Sequence, residues 1–148
     1  MSRNVKKVVS AAVLLAVGMT VGSVTTQLFN SHASKKGLKR DIEVANEYSA
    51  MMQVLADIYY RQADYVEKAD LSQLIRENGD LARNEANSIE ELTLISEEID
   101  KKIFVSEKDK KNIVKLEQIL SNTDFDYWKN IIEAEKKELE EMKTGIAE

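Results

Sequence analysis

Few side chains in this sequence are suited to chemistry. There is a single histidine, His32, and no cysteine, so thiol catalysis is absent and a zinc site of the usual His and Cys ligands would need several chains. A ferritin-like di-metal bundle requires Glu-x-x-His pairs on two helices, and the sequence has none. A Ser-His-Asp triad would depend on His32, which lies three residues after the end of an apolar segment.

Adjacent carboxylates are the remaining candidates for acid–base chemistry, at Glu90–Glu91, Glu97–Glu98 and Glu140–Glu141. Neighbouring residues on a helix point about 100° apart, so these pairs do not converge on one substrate. The sequence also lacks a Gly-rich phosphate loop and an HExxH motif. We therefore expect a non-enzymatic protein with no cofactor, no metal and no evident small-molecule substrate.

The first 33 residues contain no acidic residue. Residues 1–7 form a short basic tail, and residues 8–29 are 22 uncharged residues in a row. Because roughly 20 apolar residues cross a bilayer as a helix, this segment is predicted to be a transmembrane signal anchor. Four small residues spaced four apart in two rows would let two such helices pack closely, and Gly18 to Gly22 is a GxxxG motif. The four residues are Ala12, Ala16, Gly18 and Gly22.

A basic linker over residues 30–40 follows the apolar segment. We expect its Lys35, Lys36, Lys39 and Arg40 to contact anionic lipid headgroups. The short N-terminal tail favours a cytoplasmic N-terminus, which predicts a single-pass protein of the inner or plasma membrane with a periplasmic or extracellular body. Two alternatives stay open: a signal peptide cleaved after Ala33, and a helix buried in a soluble fold.

Residues 41–143 are predicted to form an acidic helical body, followed by a frayed tail at 144–148. Three of the 21 basic residues and none of the 26 acidic residues precede Ser34, so the remainder has a net charge of −8. This charge argues against a nucleic-acid partner, whose binding needs Lys and Arg at the phosphates. After the apolar segment the chain has no proline and has glycine only at Gly37, Gly79 and Gly145, so the body is predicted to be all-α.

Apolar residues spaced three and four apart predict a long first helix, from near Leu38 to Asn78 with a weaker point at Asp70. Gln62 interrupts its apolar row. A final helix has the same rhythm and includes Glu135 in its row. The apolar members of the two rows form a predicted helix-packing or partner face. They are Val44, Tyr48, Met51, Leu55, Ile58, Tyr65, Phe125, Trp128, Ile132 and Leu139.

Polar residues predict where the helices begin and end. Asn78-Gly79-Asp80 has a glycine for a C-cap and an aspartate for the next N-cap. A second helix is then expected to run to about Phe104 with Ile103 on its apolar side, and Ser88 to Glu91 has capping-box spacing for a late start. Ser106 with Asp109 predicts the start of a third helix, and the last helix follows Asp124. The expected fold is a small bundle or hairpin with coiled-coil-like packing, and a dimerising rod is the alternative.

This layout of a basic start, one apolar span and a helical body resembles that of phage inner-membrane spanin subunits and of small division-associated coiled-coil proteins. We expect a structural, scaffold or accessory role in the cell envelope, through helix–helix contact with itself or another helical envelope protein. A spanin-like role is one specific version. The alternatives are a cleaved secreted or periplasmic protein that binds and inhibits or chaperones a target, and a sensor-like ligand-binding bundle.

Overall fold

The computed structural model describes residues 35–145, which fold into four packed helices and contain no strand. They are α1 (Leu38–Asp64), α2 (Ala69–Lys101), α3 (Glu107–Ser121) and α4 (Phe125–Thr144). The predicted all-α class and helical bundle are confirmed. The predicted membrane helix at 8–29, with Ala12, Ala16, Gly18 and Gly22, lies outside the described residues. None of the four described helices combines the length and apolarity that crossing a membrane requires.

α1 and α2 form a long antiparallel hairpin. The Ser49 hydroxyl donates to the Ala86 carbonyl at 3.0 Å near the middle, and the Ser72 hydroxyl donates to the Ala63 carbonyl at 2.9 Å near the turn. At the other end, the Lys35 ammonium donates to the Lys102 carbonyl. We call this end, formed by residues 35–41 and 102–106, the N-terminal end of the bundle.

The predicted helix break at Asn78–Asp80 is wrong. The first helix ends at Asp64 and the chain turns at residues 65–68, whereas Gly79 lies inside α2. Gly79 is there because the ring of Tyr60 lies against it: a Cβ at this position would be 2.8 Å from Tyr60 Cε1. Because glycine has no side chain, α1 and α2 can approach closely at this position, and no turn forms there.

The starts of α3 and α4 agree better with the sequence prediction than the break at Asn78–Asp80, because local side chains cap these two helices. Ser106 and Asp109 form the predicted capping box, with each side chain accepting from the other's backbone N–H at 3.1 Å. Asp124 caps α4 by accepting from the Tyr127 N–H at 3.0 Å. The capping box proposed at Ser88 is wrong, because Ser88 lies in the interior of α2.

α3 leads back across the N-terminal part of α1, where burial and the nearby Asp41 carboxylate raise the pKa of Glu117. α4 then runs in the same direction as α1. Tyr48 meets Phe125 early in both helices, and Gln62 bonds to Glu135 further along both. All four helices contribute to the buried core, which includes Leu55, Tyr59, Ile89, Leu116 and Trp128.

Candidate functional site

The predicted packing face is mostly used inside the chain. The α1 and α4 rows meet, and the Tyr48 and Phe125 rings pack edge to face with centroids 5.8 Å apart. Six of the ten predicted residues are buried, namely Tyr48, Leu55, Ile58, Trp128, Ile132 and Leu139. Val44, Met51 and Phe125 are half-buried, and Tyr65, at the α1–α2 turn, is 49% exposed. A partner would therefore have to use other side chains.

A polar contact joins α1 to α4 within this apolar interface. Gln62 Nε2 donates to the Glu135 backbone oxygen at 3.0 Å and to Glu135 Oε2 at 2.8 Å. Gln62 is fully buried, and Glu135 is 3% exposed. The sequence pattern puts both residues in apolar rows, but it does not predict that they pair, because nothing local places α4 beside α1.

Two tyrosines border this contact. Burial, the Glu135 carboxylate and the neighbouring Tyr127 together raise the pKa of Tyr59 far above its usual value. The Tyr59 and Tyr127 hydroxyls are buried and make no hydrogen bond to the rest of residues 35–145. Such groups are costly to bury, so these two hydroxyls reduce the stability that the surrounding apolar packing provides.

The cluster is a buried polar contact between two helices. Its carboxylate lies in the core, away from solvent, and its amide partner is neutral. Across the described range there is no group of three or more His, Asp or Glu side chains placed to hold a metal ion. What the arrangement can do is fix the register of two parallel helices.

The basic residues predicted to meet lipid lie at the N-terminal end of the bundle. The Lys35 side chain donates to the backbone carbonyl of Lys102. Lys39 and Arg40 are exposed on the first turn of α1, and Lys36 is exposed just before it. These four cations lie near one another at this end of the bundle, and their contact with lipid stays a prediction.

The loop between α2 and α3 projects from the same end. α2 ends at Lys101, earlier than predicted, and the side chain of Lys102 turns back to Asp109 at 3.0 Å. The Ser106 backbone N–H and the Lys102 ammonium lower the pKa of Asp109. Ile103 and Phe104 are left 89% and 87% exposed, so the prediction of Ile103 on a packed helix face is wrong.

Ile103 and Phe104 differ from the other exposed apolar residues of the described chain. The remaining large apolar side chains of this kind are between 40% and 57% exposed, and they are Val54, Tyr65, Leu94 and Ile95. Sequence reasoning missed the loop because Ile103 continues the spacing of the α2 apolar row. The lysine pair before the two residues and the Ser106 cap after them were the available signals of a helix end.

Comparison of the chain with models of protein families, with curated proteins and with solved structures found no match.

Proposed function

We propose that the protein is a non-enzymatic, single-pass membrane-anchored helical bundle of the cell envelope. The observation that carries this proposal is the N-terminal segment: a basic tail, then 22 uncharged residues at 8–29, with no carboxylate before Asp41. Such a segment is long enough to cross a bilayer and has a start typical of an anchor that leaves the N-terminus in the cytoplasm. The body would then be exported.

The bundle supports a division of the chain into an N-terminal anchor and a separately folded body. Its core is assembled from residues between Leu38 and Leu139, so the body has its own apolar interior downstream of the basic linker. Since the α1 and α4 faces pack on each other, contact with another helical envelope protein, or with a second copy, would use exposed apolar residues of α2. Leu94 is 57% exposed and Ile95 is 40% exposed. A spanin-like accessory role remains one specific version.

The first test is fractionation of expressing cells, with the mature N-terminus read by intact mass. We expect full-length chain in the membrane fraction. A soluble species that begins at Ser34 would contradict the anchor. It would favour the alternative, a secreted or periplasmic helical protein that binds a target.

Topology can be tested separately, because the chain has no cysteine of its own. Ser88→Cys introduces one thiol on the exposed side of α2. We expect a membrane-impermeant maleimide to label it in intact spheroplasts. Ser2→Cys, in the N-terminal tail, is the matched control and should be labelled only after lysis. The reverse pattern would place the body in the cytoplasm.

A further inference from the structure

We propose that the Ile103–Phe104 loop is a second membrane contact, whose two side chains enter the headgroup region of an anionic lipid bilayer. This inference rests on the proposed function, because the bilayer concerned is the one that residues 8–29 would cross. It adds a specific orientation: the N-terminal end of the bundle faces the lipid, and the α1–α2 turn points away from it.

The position of the loop is the first argument. Lys35 bonds to the Lys102 carbonyl, so the chain leaving the apolar segment meets the body next to this loop. From Asn30 to Lys35 the chain spans at most about 18 Å, which keeps the loop within reach of the bilayer surface. The opposite turn is about 40 Å away along the 27 residues of α1.

The exposure of the loop is the second argument. Ile103 and Phe104 are adjacent, apolar and almost completely exposed, at 89% and 87%. The capping box of α3 and the Lys102–Asp109 ion pair hold the backbone on either side of them, so they project from a defined position. Phenylalanine and large aliphatic side chains are among those that membrane-surface segments bury at the boundary between headgroups and acyl chains.

Charge is the third argument. Lys35, Lys36, Lys39 and Arg40 lie at this end, and the Lys35 side chain donates to a backbone carbonyl. Near the loop, Lys101 and Lys102 are paired with Glu98 and Asp109. The chain beyond Ala33 is otherwise strongly acidic, so anionic lipid repels the rest of the body and attracts this end. These cations favour an anionic lipid surface over an apolar protein groove as the partner.

The test uses full-length chain reconstituted in phosphatidylcholine vesicles containing phosphatidylglycerol. Phe104→Cys is labelled with an environment-sensitive NBD fluorophore, and Tyr65→Cys, at the far turn, is the matched control. Both positions are exposed loop sites, so neither substitution endangers the core. Nitroxide-labelled lipids then report proximity to the bilayer, and iodide reports access to water. Each sample is first extracted with carbonate to establish that the chain is inserted.

We expect the label at position 104 to be blue-shifted, quenched by nitroxide lipid and protected from iodide, with the label at 65 showing the opposite. Inserted chain whose label at 104 behaves like that at 65 overturns the loop contact and leaves the anchor standing. A blue shift at position 104 that grows with protein density, without quenching by nitroxide lipid, indicates contact with a second copy. That result also overturns the loop contact with lipid. Chain that carbonate releases from the vesicles overturns the anchor and this inference together.

Discussion

Gln62, the residue that interrupts the α1 apolar row, reaches across to α4. Its amide gives Glu135 two hydrogen bonds in a region closed to water, so each residue is acceptable there because the other is present. A polar contact of this kind penalises a shifted pairing of the helices, in which both groups would be buried unpaired.

Gln62→Leu should destabilise the bundle through this contact. Glu135 would lose a donor that water cannot replace, and we expect the free energy of unfolding to fall by about 2 kcal/mol. Urea unfolding in detergent, followed by the emission of Trp128, measures this, since Trp128 is the sole tryptophan and is 4% exposed. Gln73→Leu, at an exposed position of α2, is the control and should change it by less than about 0.5 kcal/mol.

The double variant Gln62→Leu with Glu135→Leu separates loss of the polar contact from a poor fit of leucine. Replacing both partners of a buried pair with apolar groups is often close to neutral, so we expect the double variant to be more stable than Gln62→Leu alone. A double variant that is less stable than Gln62→Leu would show that leucine fits poorly there and that the pairing is not the cause.

We expect Glu85 to make the stability of the bundle depend on pH. Burial raises its pKa, although its hydrogen bond from Tyr48 acts in the opposite direction. The folded state therefore keeps this proton to higher pH than the unfolded state. Ionisation of Glu85 therefore lowers the free energy of unfolding as the pH rises from about 4 through the raised pKa.

Glu85→Gln should consequently stabilise the protein at pH 7 and lose that advantage as the solution is acidified. Its amide oxygen can still accept from Tyr48, so the comparison isolates the charge. Paired urea titrations of the two proteins at pH 4 and pH 7 give the measurement. An advantage for the Gln variant that is equal at both pH values would contradict a charge effect.

Among helix boundaries, those with local chemistry were predictable and the hairpin turn was not. The side chains that cap α3 and α4, Ser106 and Asp124, lie within three residues of the N–H groups they satisfy. Residues 65–68 are Tyr-Val-Glu-Lys, without glycine, proline or asparagine. This turn is set by the packing of α2 onto α1, which no local signal conveys.

Ser106→Ala tests which of the two proposed capping boxes forms. Loss of the hydroxyl removes an acceptor at the start of α3, and we expect the free energy of unfolding to drop by about 1 kcal/mol. Ser88→Ala is the matched control. Because Ser88 lies within α2, alanine should leave stability unchanged or slightly raise it. Equal losses in both variants would contradict these helix boundaries.

Gly79→Ala tests the close approach of α1 and α2. In the natural chain the added Cβ meets the Tyr60 ring at 2.8 Å. Overpacking of about 1–3 kcal/mol should outweigh the gain in helix propensity of about 1 kcal/mol. In a Tyr60→Ala background the obstacle is gone and the same substitution should stabilise. Thermal unfolding of the four proteins gives this cycle, and an unchanged sign in the two backgrounds would contradict the packing argument.

The bundle as a whole has two unlike ends. The N-terminal end carries the chain leading to residues 8–29, four cations and the exposed Ile103–Phe104 pair, whereas the far end is the α1–α2 turn. The all-α class and the cation cluster were predictable, because composition and sequence adjacency determine them. The loop beside the cations was not, because it depends on α2 ending at Lys101 and returning to the start of α1.

The measurement that tests the central claim most directly compares the natural chain with Val17→Asp in carbonate-washed membranes of expressing cells. Val17 is near the middle of the uncharged segment, where a carboxylate costs about 3 kcal/mol on insertion scales. We predict that the natural chain stays full-length in the pellet and that a larger share of the variant is released. A natural chain that carbonate extracts as completely as the variant would contradict a membrane anchor at residues 8–29.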